Sequence, residues 1–129
     1  MAQRDLYEAT KEALLPILID NTRKAHRLSA RLFSCFGVVS LIFGKPRVID
    51  LFDPSSQTLR FPETACERLQ FEVLTDLAAK YRDAVPVLIP CSERAEEFIV
   101  RHEALLASHF ILSDAEAIFS HPLLRPPLH

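Results

Sequence analysis

The chain has 129 residues, 15 lysines and arginines against 17 aspartates and glutamates, and 49% hydrophobic residues. This length suits one domain, and the apolar fraction is that of a globular core rather than of a disordered segment. A net charge of −2 excludes a protein whose whole surface attracts nucleic acid. The chain contains only two glycines, which is too few for the Gly-x-Gly-x-x-Gly turn that binds dinucleotides.

The cysteines and the apolar runs indicate a cytoplasmic protein. Cys35, Cys66 and Cys91 are widely spaced and form no Cys-x-x-Cys pair, which is typical of a reducing compartment rather than of a disulfide framework or a zinc site. The longest apolar stretch, residues 36–43, is far shorter than the ~20 residues that span a bilayer. We therefore expect neither a membrane nor a nucleic acid as a partner.

Short apolar runs along the chain have the composition of buried strands. They are rich in branched and aromatic residues, and prolines or turn residues bound them. Because they are apolar throughout rather than alternating, they fit a parallel sheet that is covered on both faces. The predicted strands are residues 16–19, 38–43, 85–89 and 110–112, and residues 48–52 and 59–61 could each form a further short strand.

Amphipathic stretches between these runs predict helices. One begins at Asn21 or Thr22, either of which can cap it, and ends at Gly37. Capping boxes at residues 64–67 and 113–116 predict the start of another helix and of a short final helical turn. The remaining predicted helices are an N-terminal helix at residues 1–14 and one whose apolar face spans residues 95–106.

Strands that alternate with helices predict an α/β fold with a doubly wound, mostly parallel sheet of four to five strands and helices on both faces. We expect this domain over residues 15–119, followed by an irregular proline-rich tail at residues 120–129. Ligands of such sheets bind at the carboxyl ends of the strands, where the strand order reverses. Two loops qualify, at residues 20–26 and 90–94, and we expect them to emerge side by side.

The first of these loops combines polar side chains with a helix start. Residues 21–60 carry seven basic and two acidic residues, a net charge of +5. The first N–H groups of a helix favour an anion. A phosphate or carboxylate near Asn21, Arg23 and His26 is therefore one interpretation, and a solvated basic helix face is the other.

The second loop contains Cys91 directly before Ser92, a residue suited to capping the next helix. A thiol at such a position can become a nucleophile. However, the arginine that a phosphatase loop places six residues after its cysteine is Glu97 here. We therefore predict that Cys91 and Ser92 line a pocket, and an enzyme that uses Cys91 is a minor alternative.

No metal site is predicted, because the five histidines lack the spacing of metal ligands. No catalytic residue is predicted either, since the sequence alone does not place a Ser/His/Asp triad. His26 is the histidine of most interest, since it lies in the first turns of a helix. Asp50 and Asp53 could form a carboxylate pair, although the residues after Asp53 explain it equally well as a turn residue.

Two stretches of the chain together resemble a known family. One is residues 16–33 continuing through 37–45, and the other is residues 86–92 followed by Phe98, Leu105, Leu106 and residues 109–113. The chain resembles the N-terminal, Rossmann-like pre-ATP-grasp domain of ATP-grasp carboxylate–amine ligases, in particular D-aspartate-ligase-like and carbamoyl-phosphate-synthase-like members. The resemblance covers about residues 15–119. Family members often carry glycine in the first loop, where this chain has Asp20, Asn21 and Thr22.

The resemblance implies a domain that packs against an ATP-grasp domain, in cis or in trans, and forms one wall of its active-site cleft. That second domain would supply the sites for ATP and magnesium, so this chain, isolated or truncated, would hold no cofactor and would not be catalytic alone. The substrate would be a small carboxylate or an amino-acid-like molecule. By position, the substrate-binding residues would be Asp20, Asn21, Arg23, His26, Cys91 and Ser92.

Two further expectations concern partners. An interface meant for another domain would leave an apolar patch on this one, and a homodimer is compatible with such a patch. The alternative to a ligase domain is a stand-alone α/β binding or regulatory module that recognises a protein or a small anionic ligand.

Overall fold

Five parallel strands form one sheet in the order β3-β2-β1-β4-β5, which confirms the predicted α/β fold. The computed structural model of the chain describes residues 14–59, 67–81 and 83–120. The strands are β1 (Leu14–Ile19), β2 (Ser40–Phe43), β3 (Ser56–Leu59), β4 (Val85–Pro90) and β5 (Ile111–Leu112).

Two helices of the described residues begin, and one of them ends, at residues that the sequence marks. Thr22 caps the first helix, because its side chain accepts a hydrogen bond from the N–H of Ala25, and Gly37 ends it with a φ of +71°. Ser92 caps a later helix in the same way. The helices are α1 (Arg23–Phe36), α2 (Glu67–Lys80), α3 (Glu93–Arg101) and α4 (Glu103–Leu106), with 3-10 helices at Val48–Phe52 and Ala117–Ser120.

Apolar side chains pack on both faces of the sheet. Neighbouring residues of a strand point to opposite faces, so Ile17 and Ile19 of β1 join one core while Leu14 and Leu18 join the other. The first core is completed by α2, α3 and α4, and the second by α1 and the 3-10 helix Ala117–Ser120. The sheet is therefore covered on both sides, as predicted.

The strand order reverses between β1 and β4. From β1 the chain moves to one side of the sheet, through β2 to β3, and then returns to the other side of β1 to form β4 and β5. Parallel strands leave their carboxyl ends at one edge, which we call the carboxyl edge. A ligand is expected to bind at this edge between the ends of β1 and β4, a position that we call the crevice.

The prediction of a strand at residues 48–52 is wrong, because these residues form a 3-10 helix. Asp50 makes the turn: its carboxylate accepts a hydrogen bond from the N–H of Arg47 (2.8 Å), and its own N–H donates to the carbonyl of Arg47 (3.0 Å). The neighbouring strand β3 lies at Ser56–Leu59, earlier than the predicted residues 59–61.

Two helix predictions also need correction. The helix expected to present one apolar face over residues 95–106 is divided at His102, so Leu105 is exposed while Leu106 is buried. In the last turn the capping residue is Asp114 rather than Ser113. Its carboxylate accepts hydrogen bonds from the N–H groups two and three residues later (2.9 and 2.7 Å), which an aspartate in a turn does readily.

Several predictions fall wholly or partly on residues outside the described ranges. Leu14, the last residue of the predicted N-terminal helix, is instead the first residue of β1. Residues 1–13, the capping residues 64–66 before α2, and residues 121–129 of the tail lie outside the described ranges. Within those ranges, every helix is too short or too polar to cross a bilayer.

Candidate functional site

The loops that follow β1 and β4 contact each other directly at the carboxyl edge. The hydroxyl of Thr22 donates to the carbonyl of Cys91 (3.0 Å), and the N–H of Cys91 donates to the carbonyl of Ile19 (2.9 Å). The hydroxyl of Ser92 donates to the carboxylate of Asp20 (2.5 Å). The expectation that these two loops emerge side by side is therefore confirmed.

Asp20 has an unusual backbone conformation at this junction. Its φ is +89°, a left-handed value that residues other than glycine adopt at a cost of about 1–3 kcal/mol. One carboxylate oxygen accepts from Ser92, and the other accepts from the guanidinium of Arg94 (2.9 Å). The Asp20 side chain is 18% exposed and that of Arg94 is 71% exposed, so the crevice presents the guanidinium to solvent.

Beside the crevice, His26 is buried and both of its ring nitrogens face oxygen acceptors. Nδ1 lies 2.5 Å from a carboxylate oxygen of Asp53. Nε2 lies 2.8 Å from the amide oxygen of Asn21 and 3.0 Å from a carboxylate oxygen of Asp50. The buried His26 ring thus lies between the carboxylates of Asp50 and Asp53.

Several hydrogen-bond donors around Asp53 stabilise its ionised carboxylate. The N–H of Ser55 donates to it (2.9 Å), as do the hydroxyls of Ser55 and of Ser56. Burial alone would raise the pKa of Asp53, but the hydrogen bonds from Ser55, His26 and Ser56 outweigh it and lower the pKa to about 2. Asp53 is therefore a carboxylate at neutral pH.

Asp50 and Asn21 connect His26 to the segment after β2 and to the 3-10 helix Val48–Phe52. The amide nitrogen of Asn21 donates to the Lys45 carbonyl (2.9 Å) and to Asp50 (3.0 Å). Arg47 donates from its guanidinium to the Asn21 carbonyl (3.1 Å). Burial raises the pKa of Asp50, and hydrogen bonds led by that from the Arg47 N–H more than compensate, so this pKa is lowered.

The backbone of Cys91 lies at the crevice, whereas its thiol points away from it. The side chain is buried in the core under α1, and its Sγ lies 3.9 Å from the carbonyl oxygen of Ile89. Burial raises the pKa of the Cys91 thiol to about 12, with a further rise from Asp20 and an opposing effect of Lys24. A buried thiol with a raised pKa is a poor nucleophile, which disfavours the alternative of an enzyme that uses Cys91.

The six predicted binding residues thus occupy three kinds of position. Asn21 and His26 are buried in the polar cluster, by which we mean the hydrogen-bonded side chains of Asn21, His26, Asp50 and Asp53. Cys91 is buried in the apolar core. Asp20 and Ser92 are half-buried at the crevice, and Arg23 is exposed. Their role in binding stays a prediction. The sequence analysis missed Arg94, whose position two residues after a helix cap places it at the crevice, and the contacts of Asp50 and Asp53 with His26.

The carboxylates of this region do not fit a magnesium ion. The Asp50 and Asp53 carboxylates both contact the His26 ring, at 3.0 and 2.5 Å, so the ring occupies the place that a cation between them would take. In residues 14–59, 67–81 and 83–120, no group of three or more histidines, cysteines, aspartates or glutamates is arranged to hold a metal ion. The Asp20 carboxylate would also repel a nucleotide phosphate at the end of β1.

The fold defines an α/β, Rossmann-like domain, and polar side chains of the loops after β1 and β4 meet at the point where the strand order reverses. No protein-family model, curated protein or solved structure matches this chain. Its function must therefore be inferred from the crevice and the surfaces around it.

Proposed function

We propose that this chain is the substrate-side domain of an ATP-grasp carboxylate–amine ligase and binds a small carboxylate or amino-acid-like substrate between β1 and β4. The observation that carries the proposal is the meeting of Asp20, Ser92 and Arg94 across the reversal of strand order. Asp20 also has the backbone conformation that glycine adopts most readily, in the loop where the ligase family often has glycine.

The crevice carries one negative and one positive side chain, Asp20 and Arg94, which are complementary to the two charges of a zwitterion. The carboxylate of Asp20 can accept hydrogen bonds from a substrate ammonium group, and the planar guanidinium of Arg94 can bind a substrate carboxylate with two parallel hydrogen bonds. The N-terminus of α1 adds the N–H groups of Arg23 and Lys24, which have no carbonyl four residues earlier in the helix. A bound amino acid would then break the Asp20–Arg94 ion pair, and it would contact Asp20 through its ammonium group and Arg94 through its carboxylate.

The ATP-grasp domain, in cis or in trans, would contribute the nucleotide and magnesium sites. Since Asp50 and Asp53 are engaged with His26, this chain offers neither of them to a metal ion. Under the proposal, the chain mixed with ATP, magnesium and amino acids forms no ADP by itself. Robust ADP formation in a coupled assay would contradict the assignment of the nucleotide and magnesium sites to the ATP-grasp domain.

Calorimetric titration with a panel of D- and L-amino acids and small carboxylates tests the proposal. A charge-assisted hydrogen bond contributes about 1.5–3 kcal/mol, so Arg94→Gln should weaken binding about tenfold or more. Arg68→Gln, which removes an exposed arginine of α2, is the matched control and should leave binding unchanged. The proposal fails if no member of the panel binds, or if both variants bind as tightly as the unaltered chain.

One observation favours the alternative of a protein-binding module. Val48, Leu51 and Phe52 of the first 3-10 helix are 74%, 81% and 77% exposed, although all three are large and apolar. Grouped apolar side chains of this kind mark a surface that contacts another protein. If the titrations show no small ligand while this surface drives association, the module is the better description.

A further inference from the structure

The exposed side chains of Val48, Leu51 and Phe52 form a projection that we call the apolar knob. All three belong to one 3-10 helix of five residues, Val48–Phe52, which follows β2 at the carboxyl edge. Isolated exposed apolar residues are ordinary in soluble proteins, whereas three within one helical turn and a half are not.

Hydrogen bonds hold the backbone of the knob. Asp50 closes the turn through Arg47 and is itself bound by His26 and Asn21, while the Arg47 guanidinium donates to the Asn21 carbonyl. The apolar side chains therefore project from a backbone that is fixed without their burial. Such a preorganised surface loses little conformational entropy when it docks.

The surroundings of the knob are positively charged. Lys45 and Arg47 precede it and are exposed. The Asp50 and Asp53 carboxylates point inward to the His26 ring and are only 14% and 10% exposed, so they present little charge to solvent. A partner suited to this surface therefore has an apolar floor and an acidic rim.

The same chain carries such a surface on the outside of α3. An open groove there includes Val100, which is 67% exposed, and its acidic residues lie one helical turn apart along the same side of the helix. Its charged side chains are three carboxylates and one guanidinium. The groove is lined by Glu93, Glu96, Glu97, Val100 and Arg101.

We propose that the apolar knob of one copy of this chain docks into the α3 groove of a second copy. The knob follows β2 and the groove follows β4, with β1 between these strands, and both surfaces are exposed within a single chain. The contact joins two different surfaces and is therefore heterologous. It does not depend on the proposed ligand in the crevice.

Charge exchange between the two surfaces tests this docking by sedimentation velocity over a range of concentrations. One variant combines Lys45→Glu with Arg47→Glu, and the other combines Glu96→Lys with Glu97→Lys. Each alone should weaken association about tenfold or more, and an equimolar mixture should restore it because the acidic knob then meets a basic groove. Glu103→Lys on α4, outside the groove, is the matched control.

Because Arg47 also donates to Asn21, Phe52→Ser serves as a second knob variant that leaves this hydrogen bond in place. Circular dichroism establishes that each variant is folded. Association that weakens in Phe52→Ser, weakens with added salt and recovers in the mixture supports the proposal. A strictly monomeric unaltered chain up to millimolar concentration, or a mixture of folded variants that does not recover, overturns it and assigns the knob to a different partner.

Discussion

Replacing Asp53 with asparagine removes one negative charge beside the His26 ring while keeping the size of the side chain. Asp53 lies at the centre of the cluster that joins α1 to the segment between β2 and β3, where it accepts hydrogen bonds from His26, Ser55 and Ser56. The variant therefore measures the contribution of the Asp53 carboxylate to the stability of the fold.

The expected effect follows from the pKa of Asp53, which is lowered from its ordinary value of 3.8 to about 2. One pKa unit corresponds to about 1.4 kcal/mol, so ionised Asp53 stabilises the folded chain by about 2 kcal/mol at neutral pH. Because the folded pKa is the lower one, this stabilisation is fully present above the unfolded pKa and is lost as the pH falls through the folded pKa.

Urea unfolding of the unaltered chain and of Asp53→Asn, from neutral to strongly acidic pH, gives the comparison. The difference in unfolding free energy should be about 2 kcal/mol at neutral pH and should shrink on acidification. Asp76→Asn, at an exposed position of α2, is the matched control and should show neither effect. Equal stability and equal pH dependence of Asp53→Asn and the unaltered chain would refute the account of this cluster.

Three further variants or reactions probe other features. Gly44→Ala should cost about 1–3 kcal/mol in urea unfolding, since an added Cβ would lie 2.6 Å from the backbone nitrogen of Asn21; unchanged stability would contradict this packing. Ser40→Ala should raise the unfolding free energy by about 1 kcal/mol, because within the described residues its buried hydroxyl has no hydrogen-bond partner, and a lower melting temperature would argue otherwise. Iodoacetamide at neutral pH should alkylate exposed Cys35 and leave Cys91 intact until the chain unfolds, as followed by peptide mass spectrometry; rapid alkylation of Cys91 would restore it as a nucleophile.

The fold could be predicted because its signals are local. Continuous apolar runs predicted β1, β2, β4 and β5 but not the polar strand β3, and capping residues such as Thr22, Gly37 and Ser92 marked where helices begin or end. The position of the crevice then followed from the general behaviour of doubly wound sheets. No contact between distant residues had to be known for these steps.

The polar cluster could not be predicted in this way, because its contacts join residues that are far apart in sequence. His26 meets Asp50 and Asp53 across 24 and 27 residues, and no spacing rule relates them. The same contacts explain the error at residues 48–52. Their apolar composition favours a strand, but Asp50 closes a 3-10 turn, and Val48, Leu51 and Phe52 are exposed to solvent.

The measurement that tests the central claim most directly is an amide-resolved NMR titration of the isotopically labelled chain with the tightest amino acid of the calorimetric panel. Binding at the crevice predicts that the largest shifts occur at the amides of residues 20–23 and 91–94, on the two loops that Asp20, Ser92 and Arg94 join. ATP alone should leave these amides unchanged. Shifts centred elsewhere on the chain, or none with any amino acid, would contradict the claim that this crevice receives the substrate.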